Sequence, residues 1–150
     1  MITKEHSGIK SCCFYASEFH LEMILLPYIK QRMDKMNFVI LTQKNLKDTV
    51  EVLLERTNLD KKDKEKIINL DWTDNYLEKV LEMKSYLNRN KKLTVFINGD
   101  EDYNKYIKDA IEGYKNINII DCFDISKINK NIKSVSENYD SILNMNTINE

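Results

Sequence analysis

The sequence predicts an α/β protein: a single three-layer domain over residues 1–150, with a mainly parallel five-stranded sheet and crossover helices, RecA-like or flavodoxin-like. Three observations predict it. Five short apolar runs, Ile9–Tyr15, Phe38–Thr42, Lys66–Leu70, Lys92–Ile97 and Ile117–Phe123, alternate with amphipathic stretches along the chain. Hydrophobic residues make up 42% and charged residues 31%, the balance of a globular protein, and 150 residues are enough for one core. Glycine and proline are scarce, at three and one, so the loops are expected to be short.

Residues 1–8 read as a loose lead-in and the first strand follows at 9–15. Ser17 caps a helix over 17–36, with Glu18 in its first turn complementing the dipole. Leu21 to Leu26 is almost wholly apolar and is expected to be buried, while Ile29 to Met36 surfaces. Pro27 removes the bond to the Met23 carbonyl, which predicts a kink. The second strand is 38–42. Leu46, Val50, Leu53 and Leu54 at helical spacing give a helix over 44–58, ending at Asn58. Asp60 caps a short turn at 61–66. The third strand is placed at 66–70 on Ile67, Ile68 and Leu70 alone, with a helix over 61–70 as the alternative. Residues 71–74 make a turn and cap before a helix to 89, whose stripe includes Tyr76, Leu77, Val80, Leu81 and Met83. The fourth strand, 92–97, runs into Asn98, Gly99 and Asp100. A helix over 101–114 and a strand over 117–123 follow. Ile125, Ile128, Ile132, Val135, Tyr139, Ile142 and Leu143 form a heptad-like stripe, predicting a last helix over 125–144 that packs on the sheet or on a partner.

The charge balance, 23 basic against 24 acidic residues, gives a net charge of −1 and no general attraction to nucleic acid or anionic membrane. Lys61, Lys62, Lys64 and Lys66 cluster, but Asp60, Asp63 and Glu65 interleave with them, as on a solvated face. No apolar run approaches the ~20 residues of a membrane span. The opening residues hold no apolar leader segment, and three cysteines do not make a disulfide framework, so a cytoplasmic location is expected. The abundance of Asn, Ile and Lys fits a bacterial, AT-rich coding sequence.

Open parallel sheets bind ligands outside the carboxyl ends of their strands. Those ends nominate Tyr15, Ala16 and Ser17; Thr42 and Gln43; Asp71 and Trp72; Asn98, Gly99 and Asp100; and Asp124. His20, one turn into the first helix, joins them as a group that could titrate against Glu18 or Asp124. The ligand-binding candidates are therefore Tyr15, Ser17, His20, Thr42, Trp72, Gly99, Asp100, Cys122 and Asp124. Each has a plain structural role as well: small polar residues cap helices, a tryptophan lids a core, and a buried cysteine packs as a small hydrophobe.

No catalytic residue, metal or cofactor is nominated. Neither GxxxxGKS/T nor GxGxxG occurs. Gly99 would permit a tight turn at positive φ with the amides of 100–102 facing an anion, but Asp100, Glu101 and Asp102 would repel phosphate. Those carboxylates could instead hold a divalent cation or simply complement a helix dipole. Cys12 and Cys13 point to opposite faces of their strand and cannot share one ion, and Cys122 lies near one of them if the two strands are neighbours.

The segment Cys12–Ile29, an aromatic-ended strand, a polar turn and a helix leading into Pro27, Tyr28 and Ile29, resembles the opening of the MEDS family, a methanogen/methylotroph sensory domain. The similarity continues at Phe38–Leu41, at Thr94–Asp100 and at Ile119–Asp124, and spans most of 6–135. The resemblance implies a RecA/KaiC-like sheet without a phosphate loop that senses small molecules. Tyr15, Gly99, Cys122 and Asp124 match its motifs, whereas His6, the counterpart of the family's early histidine, lies further upstream of Tyr15 than the family pattern has it.

The expected function is thus a non-enzymatic sensory or regulatory domain that binds a small molecule or a signalling partner at the carboxyl edge of the sheet. Two alternatives stay open: a metal- or nucleotide-dependent enzyme using Asp71, Asp100, Asp102 and Asp124, and an interaction module docking through the C-terminal helix.

Overall fold

Hydrophobic alternation drives the chain into repeated strand–helix units, seen in a computed structural model that describes residues 8–114, 117–128 and 131–144. The elements are β1 (Lys10–Tyr15), α1 (Glu18–Arg32), β2 (Asn37–Thr42), α2 (Lys47–Glu55), α3 (Lys61–Ile68), α4 (Tyr76–Asn88), β3 (Leu93–Asn98), α5 (Glu101–Ile111), β4 (Ile117–Asp124), a 3-10 turn (Ile125–Lys127), α6 (Ile132–Ser136) and β5 (Ser141–Leu143). The five strands form one sheet in the order β2-β3-β4-β1-β5, and every pairing is parallel. That order is not the 2-1-3-4-5 of flavodoxin-like sheets. His6 lies outside the described residues.

The sheet is apolar on both faces, as a parallel sheet between helices must be. On one face Cys13, Tyr15, Phe38, Ile40, Phe96, Ile120 and Cys122 pack beneath α1, α2 and α3, with Leu21, Leu25, Ile29, Val50 and Ile67 supplying the helical side. On the other face Val39, Leu41, Val95, Ile97, Ile117 and Ile119 pack against Met83 and Leu87 of α4 and Ile107 and Ile111 of α5. The register brings four strand ends close together in two steps: Tyr15 lies opposite Asp124, while Thr42 and Asn98 lie opposite each other and level with Cys122, two residues before the end of β4.

Two expected elements are different. Residues 66–70 are not a strand. The helical alternative holds instead, because Asp60 caps α3 through Asp63 N (2.8 Å) and its charged run buries Ile67 alone, whereas a central parallel strand needs apolar residues on both faces. Residues 125–144 are not one helix. Asn131 caps the five-residue α6, Tyr139 then turns inward to Asp121, and Asp140 exchanges hydrogen bonds with the backbone of Lys10 (2.7 and 2.9 Å). The chain enters β5, which pairs Ser141–Leu143 with Ser11–Cys13. The fifth strand thus comes from the C-terminal segment, and the docking stripe of a long C-terminal helix does not exist. Helix α1 runs through Pro27 as one segment and ends at Arg32, four residues before its expected end at 36.

Candidate functional site

The staggered strand ends enclose a cleft of ≈ 250 Å³ at the carboxyl edge, where β1 and β4 run two residues past the end of β3. Tyr15, Gln43, Asn98, Gly99, Asp100 and Asp124, six of the residues nominated at the strand ends, line it together with Lys44, Glu101, Phe123, Lys127 and Ile128. Its floor is a chain of hydrogen bonds. The Tyr15 hydroxyl donates to Asn98 Oδ1 (2.6 Å), Asn98 Nδ2 donates to Thr42 Oγ1 (3.1 Å), and the Thr42 hydroxyl donates to the Lys44 carbonyl (2.8 Å). Thr42 therefore supports the cleft from below and is only 2% exposed.

The turn after β3 shapes one wall. Asp100 caps α5 by accepting from Tyr103 N (2.8 Å), and Gln43 Oε1 accepts from Asp100 N (2.7 Å). Gly99 is required for space rather than for a positive φ, which among the described glycines only Gly113 adopts. A Cβ at Gly99 would meet the Tyr103 ring at 2.4 Å and Gln43 Oε1 at 2.6 Å. The opposite wall is Asp124, which caps the 3-10 turn by accepting from the Ser126 N–H (2.9 Å) and hydroxyl (2.7 Å). The Ser126 hydroxyl first, then its N–H and the Lys127 and Lys44 ammonium groups, hold the Asp124 carboxyl below the usual carboxylate range. Lys44 also pairs with Glu18 at 3.7 Å. The cleft thus presents two ammonium groups and three carboxylates over a neutral amide and hydroxyl floor.

Other nominated residues serve the scaffold. Ser17 accepts from His20 N (3.1 Å) and His20 Nδ1 accepts from Ala16 N (2.9 Å), a reciprocal cap that starts α1 outside the cleft lining. Cys122 is fully buried one layer down, opposite Cys13 in the register and on the same face. Hydrogen bonding with Cys13 and burial push the Cys122 thiol up, and burial pushes Cys12 up to about 11, so neither is a thiolate at neutral pH.

Trp72 does not reach the cleft. It is 1% exposed, packs in the core beneath α1 and α3, and donates its Nε1–H to the Ile67 carbonyl (2.8 Å). The reason is the missing strand at 66–70: residues 71 and 72 follow a helix, not a strand, and so are not carried to the carboxyl edge. Asp71 goes with them to a different cavity along the free edge of β2, where it binds the Thr73 hydroxyl and N–H and lies 3.8 Å from the buried Lys79 ammonium. Asp102 lies on α5 outside the cleft. The four carboxylates of the enzyme alternative therefore do not assemble. Among the described residues no group of three His, Cys, Asp or Glu could hold a metal ion.

The sequence singled out neither Lys44 nor Lys127 nor Phe123. Lys44 follows the end of β2 by two positions and Lys127 follows Asp124 by three, the spacing that would have nominated both once the strand ends were known to converge. Among the described residues no helix is long and apolar enough to cross a membrane. Comparison of the chain with family models, with curated proteins and with solved structures finds no match in any of the three.

Proposed function

We propose that this chain is a non-enzymatic regulatory domain that binds a small polar molecule carrying both signs of charge at the carboxyl edge of its sheet. The observation that carries it is the ≈ 250 Å³ cleft in which Tyr15, Gly99, Asp100 and Asp124 meet Lys44 and Lys127. Lys44 and Lys127 suit a ligand carboxylate, while Asp100, Glu101 and Asp124 suit an ammonium group and disfavour a polyphosphate. Catalysis is not supported, because the groups that could act are already engaged: Asp100 and Asp124 as caps, the Tyr15 hydroxyl with Asn98, and the cysteines as buried thiols.

The sensory reading implied by the MEDS resemblance is supported by the meeting of three of its matched positions, Tyr15, Gly99 and Asp124, at one cleft. The strand order, which is not the flavodoxin-like one, supports the RecA-type alternative. Signalling would pass to a separate protein partner. Three buried cysteines without a disulfide support a reducing, cytoplasmic setting.

Thermal unfolding in the presence of amino acids and other small zwitterions tests the proposal. A true ligand at 100 times its dissociation constant adds about 2.7 kcal/mol, and the gain disappears in Lys44→Ala/Lys127→Ala. A panel without effect, or a gain that survives that double substitution, contradicts it.

A further inference from the structure

A second cavity of ≈ 290 Å³ adjoins the cleft and shares Glu101, Phe123 and Ile128 with it. Its inner walls come from Asn104 and Lys108 of α5 and from Val135 and Tyr139 at and beyond α6. Asn104 is 1% exposed, and neither its amide nitrogen nor its amide oxygen has a hydrogen-bond partner. Native proteins leave few buried polar groups unpaired, and each needs a reason, such as a ligand or an ordered water.

Lys108 and the Tyr139 hydroxyl are spoken for, both by Asp121 Oδ2, while Asp121 Oδ1 is buried without a partner. Lys108 Nζ lies 2.7 Å from Asp121 Oδ2 and donates to the Tyr139 hydroxyl (3.2 Å), which itself donates to Asp121. At the mouth, Lys105 is offset by Glu101 and Asp102, so the cavity offers no surplus positive charge to an anion. The wall is aromatic: Phe123 stacks on Phe14 at 5.7 Å between centroids, and Tyr139 meets Phe123 edge-on at 6.2 Å.

We propose that this second cavity binds a neutral planar ring bearing a lactam or primary carboxamide edge. The ring lies against Phe123 and the edge pairs with the Asn104 amide. A primary amide sets a donor beside an acceptor, and a lactam or carboxamide returns the complementary acceptor and donor, so one ligand edge satisfies both unpaired atoms. An ionised carboxylate only accepts, and it would leave the Asn104 oxygen unpaired. The volume sits at the lower limit of small-molecule pockets, which suits a single ring and excludes a whole nucleotide. The proposal goes beyond the reading of the adjoining cleft and stands or falls on its own.

Uracil and nicotinamide, titrated into the full ¹⁵N-labelled chain with benzoate as control, provide the test. Both probes are expected to shift the Asn104 side-chain amide and the backbone signals of Lys108 and Val135, with benzoate at least tenfold weaker. Asn104→Leu abolishes these shifts with an unchanged or higher melting temperature, because the unpaired amide is gone. Val135→Trp, which fills the cavity from the α6 side, also abolishes them and serves if the first variant fails to fold. Equal binding by Asn104→Leu, equal binding of benzoate, or no response at these signals at millimolar probe overturns the proposal. The last outcome also covers an amide satisfied by water alone. Shifts confined to Gly99 and Lys127 overturn it as well, while leaving the cleft itself as a ligand site.

Discussion

The Tyr15 hydroxyl reaches Asn98 Oδ1 at 2.6 Å although β4 lies between their strands. Both residues are buried, so the bond ties the cleft floor together in a setting where losing a partner is expensive. Tyr15→Phe leaves the Asn98 oxygen unpaired and is expected to cost about 1–3 kcal/mol in chemical denaturation, with the fold retained. Asp121 shows the same logic with charge. It is fully buried on the opposite face and leans on Lys108 and Tyr139. Lys108→Met strands that carboxylate and is expected to cost about 3 kcal/mol, most of which returns when Asp121→Leu is added. That Tyr15, Gly99, Asp100 and Asp124 meet at one sheet edge was legible because a strand end followed by a small polar turn needs no long-range information. Asp121 was illegible for the converse reason. Nothing local says that a mid-strand acid will find a lysine on α5 and a tyrosine that the periodicity had placed on a helix.

Elements meet at a titratable group between α1 and α2. Glu22 of α1 is fully buried and accepts from the Thr49 hydroxyl of α2, while its second oxygen has no partner. Burial, with a smaller contribution from the Glu18 charge, pushes its carboxyl up from 4.5 to about 7, against the Thr49 hydrogen bond. The folded state then binds the proton more tightly than the unfolded chain. Glu22 therefore favours folding fully below pH 4.5, loses that contribution as pH rises towards 7, and has no further slope above. The contribution lost is on the order of 3 kcal/mol, and Glu22→Gln is expected to flatten the stability–pH curve across that window. Helix α3 marks where element-level reading failed: Ile67 and Ile68 satisfy a strand or a helix equally, and only the Asp60 cap, with the charges around them, decides.

At the scale of the whole molecule, the C-terminal segment is part of the sheet. Ser141–Leu143 covers the edge of β1, and Tyr139 closes over Asp121. Truncation after residue 128 is expected to lower the melting temperature markedly and to promote association through the exposed β1 edge, where loss of a peripheral docking helix would change stability little. Calorimetry with sedimentation of the truncated chain checks both. Four of the strands and the parallel direction were legible because apolar runs and crossovers repeat, and the total of five agrees only because the false strand at 66–70 offsets the missed one at 141–143. The fifth strand was not, because Ile142 and Leu143 continue a heptad as readily as they begin a strand. The proposed ligand site depends on the converging strand ends of β1, β3 and β4. Chemical-shift mapping of the first zwitterion that raises the melting temperature tests this most directly. The perturbed signals are predicted to centre on Tyr15, Gly99, Asp124 and Lys127. Signals centred instead on Lys79 and Tyr86 at the β2 edge, or on Met23, Leu26 and Leu53 in the apolar groove between α1 and α2, would contradict it.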